Sequence, residues 1–176
     1  MKNTNKIVLS KIYKDYLDEL ENLEIDRFFC RHNYEHFISV ARICYILKLE
    51  ENVDVDKDVI YATALLHDLG RVVEIKEGIN HSIASVEIAR EILEITDFSD
   101  SEKERILNCI SYHRTKEKAE DEFFNMFYRA DKLSRPCFRC PAYDACNWSY
   151  EKKNHEIIYW WENYGFYQDK RPWSLC

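Results

Sequence analysis

The stretch Val59-Ile60-Tyr61-Ala62-Thr63-Ala64-Leu65-Leu66-His67-Asp68 decides how the chain is read. A segment this apolar belongs inside the fold, and a carboxylate buried at its end without a partner costs several kcal/mol or takes up a proton. Something must compensate Asp68. A neutral imidazole beside an ionised carboxylate is a ligand pair for a divalent cation, and a cation supplies that compensation directly.

Composition bounds what surrounds the pair. The chain has 176 residues, the size of one domain able to bury a core without staples. Three glycines and three prolines leave few places for the tight turns of hairpins, so an all-helical chain is expected. A formal charge of −7 gives no basic field for nucleic-acid polymers or anionic membranes, although a local basic pocket can still bind a small phosphate ester. Seven cysteines is an odd number, and no apolar signal segment precedes the charged start Met1-Lys2-Asn3-Thr4-Asn5-Lys6. A reducing cytoplasm is the expected compartment. No apolar run approaches the roughly 20 residues that span a bilayer.

Outward from the central stretch, the spacing predicts helices with short joints. Ile12, Tyr16, Leu20 and Leu23 mark an amphipathic helix over 7–23, and His36, Val40, Ile43 and Leu47 mark a second over 32–49 that turns His36 inward. The third begins after the capping residues Asp54 and Asp56 and ends at Gly70, whose access to positive φ suits a helix terminus. A short charged link leads to a fourth near His81, with Ile83, Val86, Ile88, Ile92 and Leu93 as its apolar stripe. Ser99-Asp100-Ser101-Glu102 has the form of a capping box and opens a fifth, in which Ile106, Ile110 and His113 share a face. A sixth over 121–134 carries Phe124, Phe127 and Asp131 inward. Pro136-Cys137-Phe138-Arg139-Cys140-Pro141 reads as an irregular loop before a final aromatic helix over 149–164. The expected organisation is a helical domain over 1–135 with a Cys- and aromatic-rich extension over 136–176 packed on it.

His36, His67, Asp68, His113 and Asp131 come from four separate helices, yet each lies on or at the end of an apolar face. As satisfied core residues they need five independent explanations; one metal centre supplies a single reason.

The order His36, His67-Asp68, Asp131 resembles the HD-domain superfamily of metal-dependent phosphohydrolases. Glu35-His36-Phe37-Ile38-Ser39-Val40-Ala41 is similar to the family's first-ligand helix, and Ala64-Leu65-Leu66-His67-Asp68-Leu69-Gly70 to its doublet helix. The resemblance spans residues 29–135 and implies an HD-type bundle of six or seven helices, with His36, His67, Asp68 and Asp131 as ligands of one ion. It also implies that His81 and His113 hold a second ion bridged by Asp68, as in dinuclear members; otherwise His81 is a surface residue at a helix start and His113 a core histidine. The metal is one or two divalent ions, with Mn, Fe, Zn, Mg, Co and Ni not distinguished.

On this reading the metal activates water to attack a small phosphorylated substrate, a nucleotide or similar ester. Arg71, Arg114 and Lys132, each beside a ligand, are candidates to hold phosphate, or else solvated surface charges. Glu74 is a candidate general acid or base, or an exposed glutamate. His32, four residues before His36, is a substrate-pocket or second-shell candidate. Cys137, Cys140 and Cys146 can clamp zinc or an iron–sulfur cluster if Cys30, His155 or Cys176 supplies a fourth ligand; otherwise they pack as reduced thiols. An HD-type dinuclear iron oxygenase and a non-catalytic nucleotide or metal sensor are the alternative functions.

Overall fold

A computed structural model describes residues 1–115 and 119–155. Among them the chain forms eight α-helices and no strands. They are α1 (Lys2–Leu9), α2 (Lys11–Leu23), α3 (Tyr34–Glu51), α4 (Lys57–Leu66), α5 (Arg71–Glu77), α6 (His81–Leu93), α7 (Asp100–Tyr112) and α8 (Glu122–Leu133). The apolar run that opened the sequence reading is α4, buried on nearly every side from Val59 to Leu66. A helix apolar all round belongs at the centre of a bundle, and α4 packs against α1, α3, α6 and α7.

The polar ends explain where the helices begin. Side chains of Ser10, Asn33, Asp56, Asn80, Ser99 and Asp121 each accept a backbone N–H from the first turn of the helix that follows. Ser99 and Glu102 complete the expected capping box. Met1 provides no such cap for α1. Asp58 does it from a distance, accepting the amides of Asn3 at 2.9 Å and Thr4 at 2.8 Å and so fastening α1 to the start of α4. Arg129 pairs with Glu51 to tie α8 to α3. Arg105 grips Asp121 with Nε and Nη2 at 2.8 and 2.9 Å where α7 meets the start of α8.

Several local expectations are corrected. The helix expected over 7–23 begins at Lys2 and is divided at Ser10, whose extended backbone and hydroxyl cap start α2 afresh. The charged link after Gly70 is α5: Val72 is buried, and Gly78 at φ 75° ends the helix in the left-handed conformation. Ile83 faces outward at 62% exposure, while Ala84, Ser85, Ile88 and Ala89 face the bundle. Small residues occupy that face because α6 crosses very close to Gly70. The final helix expected over 149–164 starts instead as a single 3-10 turn at Tyr150–Lys152, and its remainder lies outside the described residues. No described helix is long and apolar enough to cross a membrane.

Gly70 is the tightest point of the fold, for a reason other than positive φ, since its φ is −63°. A Cβ there would stand 2.3 Å from both His81 O and Ser85 N, and its amide donates to Ser85 Oγ at 2.9 Å. The crossing brings the first residue of α6, His81, over the end of α4. Gly70→Ala is expected to destabilise the protein by about 3 kcal/mol, the upper part of the usual overpacking range, because the opposing atoms are mostly backbone and cannot turn aside. A thermal melt of the variant beside wild type measures this; an unchanged midpoint would contradict the close crossing.

Candidate metal centre

Five helix ends converge around Asp68. His67 is the C-cap of α4, with Asp68 next to it; His81 opens α6, His113 is the C-cap of α7, and Asp131 lies in the last turn of α8. His36 sits in the first turn of α3. All six are buried. Asp68 Oδ1 faces His81 Nε2 at 3.4 Å and His113 Nε2 at 3.6 Å, while Oδ2 faces His67 Nε2 at 3.4 Å. Asp131 Oδ1 is 3.4 Å from His36 Nε2 and 3.9 Å from His67 Nε2. The atoms form two groups at ligand spacing, His36/His67/Asp68 and Asp68/His81/His113, and Asp68 belongs to both.

The hydrogen bonds at the far side of each ring fix what these atoms can do. His67 Nδ1 donates to Ala64 O at 2.8 Å, His113 Nδ1 to Ile110 O, and His81 Nδ1 to the Glu74 carboxylate at 2.8 Å. His36 Nδ1 meets Ser134 Oγ at 3.1 Å, whose own proton is directed to Asp131 O. Each Nδ1 thus carries the hydrogen, and each Nε2 presents a lone pair toward a carboxylate. His36 Nε2, His67 Nε2 and Asp68 Oδ1 have no hydrogen-bond partner. Acceptors aimed at acceptors in a dry interior require a cation among them, and neutral imidazoles with carboxylates are the donor set of a divalent transition metal.

The sequence profile of the HD domain matches residues 33–145. This chain belongs to the HD domain family. The match continues past residue 135, where the helical domain was expected to close, into the cysteine loop. An uncharacterized protein of Clostridium beijerinckii is 43% identical over 159 residues, covering 90% of this chain and 100% of the relative. Ribonuclease Y of Mycoplasma mycoides is 30% identical over 111 residues, and ribonuclease Y of Geobacter metallireducens 26% over 123. These alignments take in 62% and 70% of this chain but only 20% and 22% of those proteins, so the chain spans about a fifth of either. In fold it is similar to the crystal structure of a predicted HD superfamily hydrolase from an uncultured Thermotogales bacterium, with a TM-score of 0.57, 20% identity and 80% of each chain covered. HD domains bind divalent metals, and the two groups around Asp68 are where this one can hold them.

Around these two groups stand cations. Arg71 Nε is 3.1 Å from Asp68 Oδ1, Lys132 Nζ 2.6 Å from Asp131 Oδ2, and Arg114 Nη1 3.4 Å from His81 Nε2. Arg135, not singled out from sequence, is almost as buried as the ligands and reaches Asp131 Oδ1 at 3.0 Å. Its position four residues after Asp131 was the available signal. Burial works against ionising Asp68, and the Arg71 guanidinium beside it outweighs that, holding the carboxyl well below the usual range. Arg135 and Lys132 do the same for Asp131 against its own burial.

Two more of the residues singled out from sequence flank the site. Glu74 lies behind His81, both oxygens 2.8 Å from Nδ1, and so holds that ring in place. His32 is buried with Nε2 3.6 Å from Asp68 Oδ2. Its partner Glu24, buried at the end of α2, carries no motif by which sequence could find it.

Cys137 is buried, and Cys30, Cys140 and Cys146 lie within electrostatic range of it, which leaves Cys30 as the candidate fourth ligand on that side of the fold. Among the described residues these thiols do not close to the mutual ligand spacing of the two HD groups. His155 stacks on Tyr150 at 4.2 Å, and Cys176 lies outside the described residues.

The buried imidazoles make stability depend on pH. Burial pushes His67 down to about 3 and His32 to about 4, far below the 6.5 of an exposed histidine. Below pH 6.5 the unfolded chain therefore binds protons that the folded chain does not, and stability falls as pH falls. The depressed Asp68 and Asp131 act in the same direction at lower pH, their contribution being lost as pH drops through their folded values. Metal-stripped protein is expected to lose about 2 kcal/mol per such imidazole between pH 6.5 and 5. Denaturant titrations across that window measure it, and a flat profile would refute the neutral buried rings.

Proposed function

We propose that the protein is a metal-dependent phosphohydrolase that cleaves a nucleotide or another small phosphate ester. The observation that carries this reading is the convergence of histidine Nε2 lone pairs and two carboxylates on one buried point, ringed by Arg71, Arg114, Lys132 and Arg135. Bound divalent metal lowers the pKa of a coordinated water from 15.7 toward about 7 and makes hydroxide available near neutral pH. The chain's own residues do the rest. His67 and His113 are locked by backbone carbonyls and His81 by Glu74, which keeps each Nε2 aimed without reorganisation. Arg71, Arg114 and Lys132 offer N–H groups to phosphate oxygens, and their net charge is of the right sign to offset a phosphate beside two aspartates. An overall charge of −7 leaves this local pocket as the attraction for an anion and favours a small substrate over a polymer.

The test is a phosphatase screen over a nucleotide panel, with each divalent metal in turn and elemental analysis of the same sample. Phosphate release that Asp68→Ala and Asp131→Ala abolish is the expected result, with bound metal reduced in both. On the two-ion form, His81→Ala and His113→Ala lower bound metal from about two equivalents toward one. Wild-type turnover in Asp68→Ala would overturn the assignment. Oxygen consumption by iron-loaded protein without phosphate release would replace it with the oxygenase reading, and ligand binding without turnover under every metal with the sensor reading.

A structural metal at the cysteines is a separate reading, supported by Cys30 bringing the thiols, Cys137 included, to four and by the backbone N–H of Asn154 directed at Cys137. Cys140 N closes a turn on Cys137 O at 3.0 Å, which keeps compact a C-x-x-C pair of the spacing common in zinc sites. Cys140→Ser is then expected to release one thiolate-bound ion and lower the melting temperature while the HD metals stay. Unchanged metal content by elemental analysis would reduce the four to packing residues.

A further inference from the structure

We infer that His32 is a further protein ligand of the cation held on the Oδ2 side of Asp68, and that Glu24 is its positioning residue. The inference rests on the metal-dependent reading above and adds to its ligand set. His32 lies in the loop before α3, and only 2% of it is exposed. Its Nδ1 is 2.9 Å from Glu24 Oε1, and its amide donates to Glu24 Oε2 at 2.6 Å. A carboxylate only accepts, so the ring hydrogen is on Nδ1 and Nε2 is a bare lone pair. That lone pair has no hydrogen-bond partner and points at Asp68 Oδ2 across 3.6 Å. The same arrangement, with Nδ1 on an oxygen acceptor and Nε2 toward a site carboxylate, describes His36, His67, His81 and His113.

Glu24 strengthens the case. It is the C-cap of α2, where the helix presents its carbonyls and a buried negative charge is least welcome. The two N–H groups of His32 and the guanidinium of Arg27 at 3.1 Å hold it there. A buried carboxylate kept in that position to grip one imidazole is the usual support of a metal-binding histidine, which it orients and makes more basic.

The added ligand changes the expected metal. On the Oδ2 side His36, His67 and Asp68 lie at mutual ligand spacing, and His32 and Asp131 approach them through Asp68 and through His36 and His67. Donation by all five would exceed the four ligands of tetrahedral zinc, which favours manganese, iron, cobalt or nickel at this ion.

Cobalt(II) added alone to metal-stripped full-length protein tests the inference, read by chelator competition and by the d–d absorption. His32→Ala is expected to weaken the first cobalt by about 100-fold or more and to change the band, and Glu24→Gln to weaken it by about 10- to 100-fold while the ligand stays. Circular dichroism confirms that each variant folds, and Glu24→Gln, which keeps the shape of the side chain, serves should His32→Ala not. Cobalt binding that Asp68→Ala loses but His32→Ala and Glu24→Gln leave unchanged in affinity and spectrum would overturn this inference alone. Wild-type protein that binds no cobalt would overturn the metal-dependent function as well.

Discussion

The carboxylate of Asp68, held inside the bundle with its two oxygens turned to different histidines, is the constraint around which the rest is arranged. It follows α4, apolar on nearly every side, so it is shut away from water, and it stays ionised because Arg71 stands against it, while the imidazole lone pairs turned toward it call for a further cation. The side chains around it come from the end of α4, from α5, α6 and the end of α7, and from the loop before α3. Packing and chemistry cannot be separated here. The crossing of α6 over Gly70 that fixes the bundle also sets His81 against Asp68.

Much of this was legible in the sequence because the signals were local. The apolar run ending in His67-Asp68, the capping box at Ser99 and the spacing of Phe127 and Asp131 depend on neighbours a few residues apart, and helices obey them. The ligand order His36, His67-Asp68, His81, His113, Asp131 was readable as a resemblance. What escaped was decided at a distance or over too short a window. Seven residues of α5 give fewer than two full turns to show a period, and its charges hid Val72. Ile83 looked like core by its side chain, yet closeness to Gly70 selected Ala84 and Ser85 for that face. Glu24 becomes a partner of His32 only through the path of the loop between α2 and α3, which no periodicity encodes.

The relatives agree with the fold more than with any one substrate. The chain aligns with ribonuclease Y over only about a fifth of that protein, while the solved Thermotogales structure is similar in fold. Function therefore turns on the residues of this site: its cations, the groups that hold its histidines, and the histidine that precedes α3.

His67 and His113 are the C-caps of their helices, and Asp131 stands in the last turn of a third. Three helix C-termini thus end at one buried point, and each brings about half an elementary negative charge from its aligned peptide dipoles. The N-termini of α3, α5 and α6 bring a comparable positive charge to the same place, so the aligned dipoles nearly cancel there and the two carboxylates supply the pull on a cation. Because that pull is shielded from solvent, added salt should screen it little. Variants stripped of one carboxylate should therefore lose much of it, so metal loss after a single substitution reports on charge as much as on geometry.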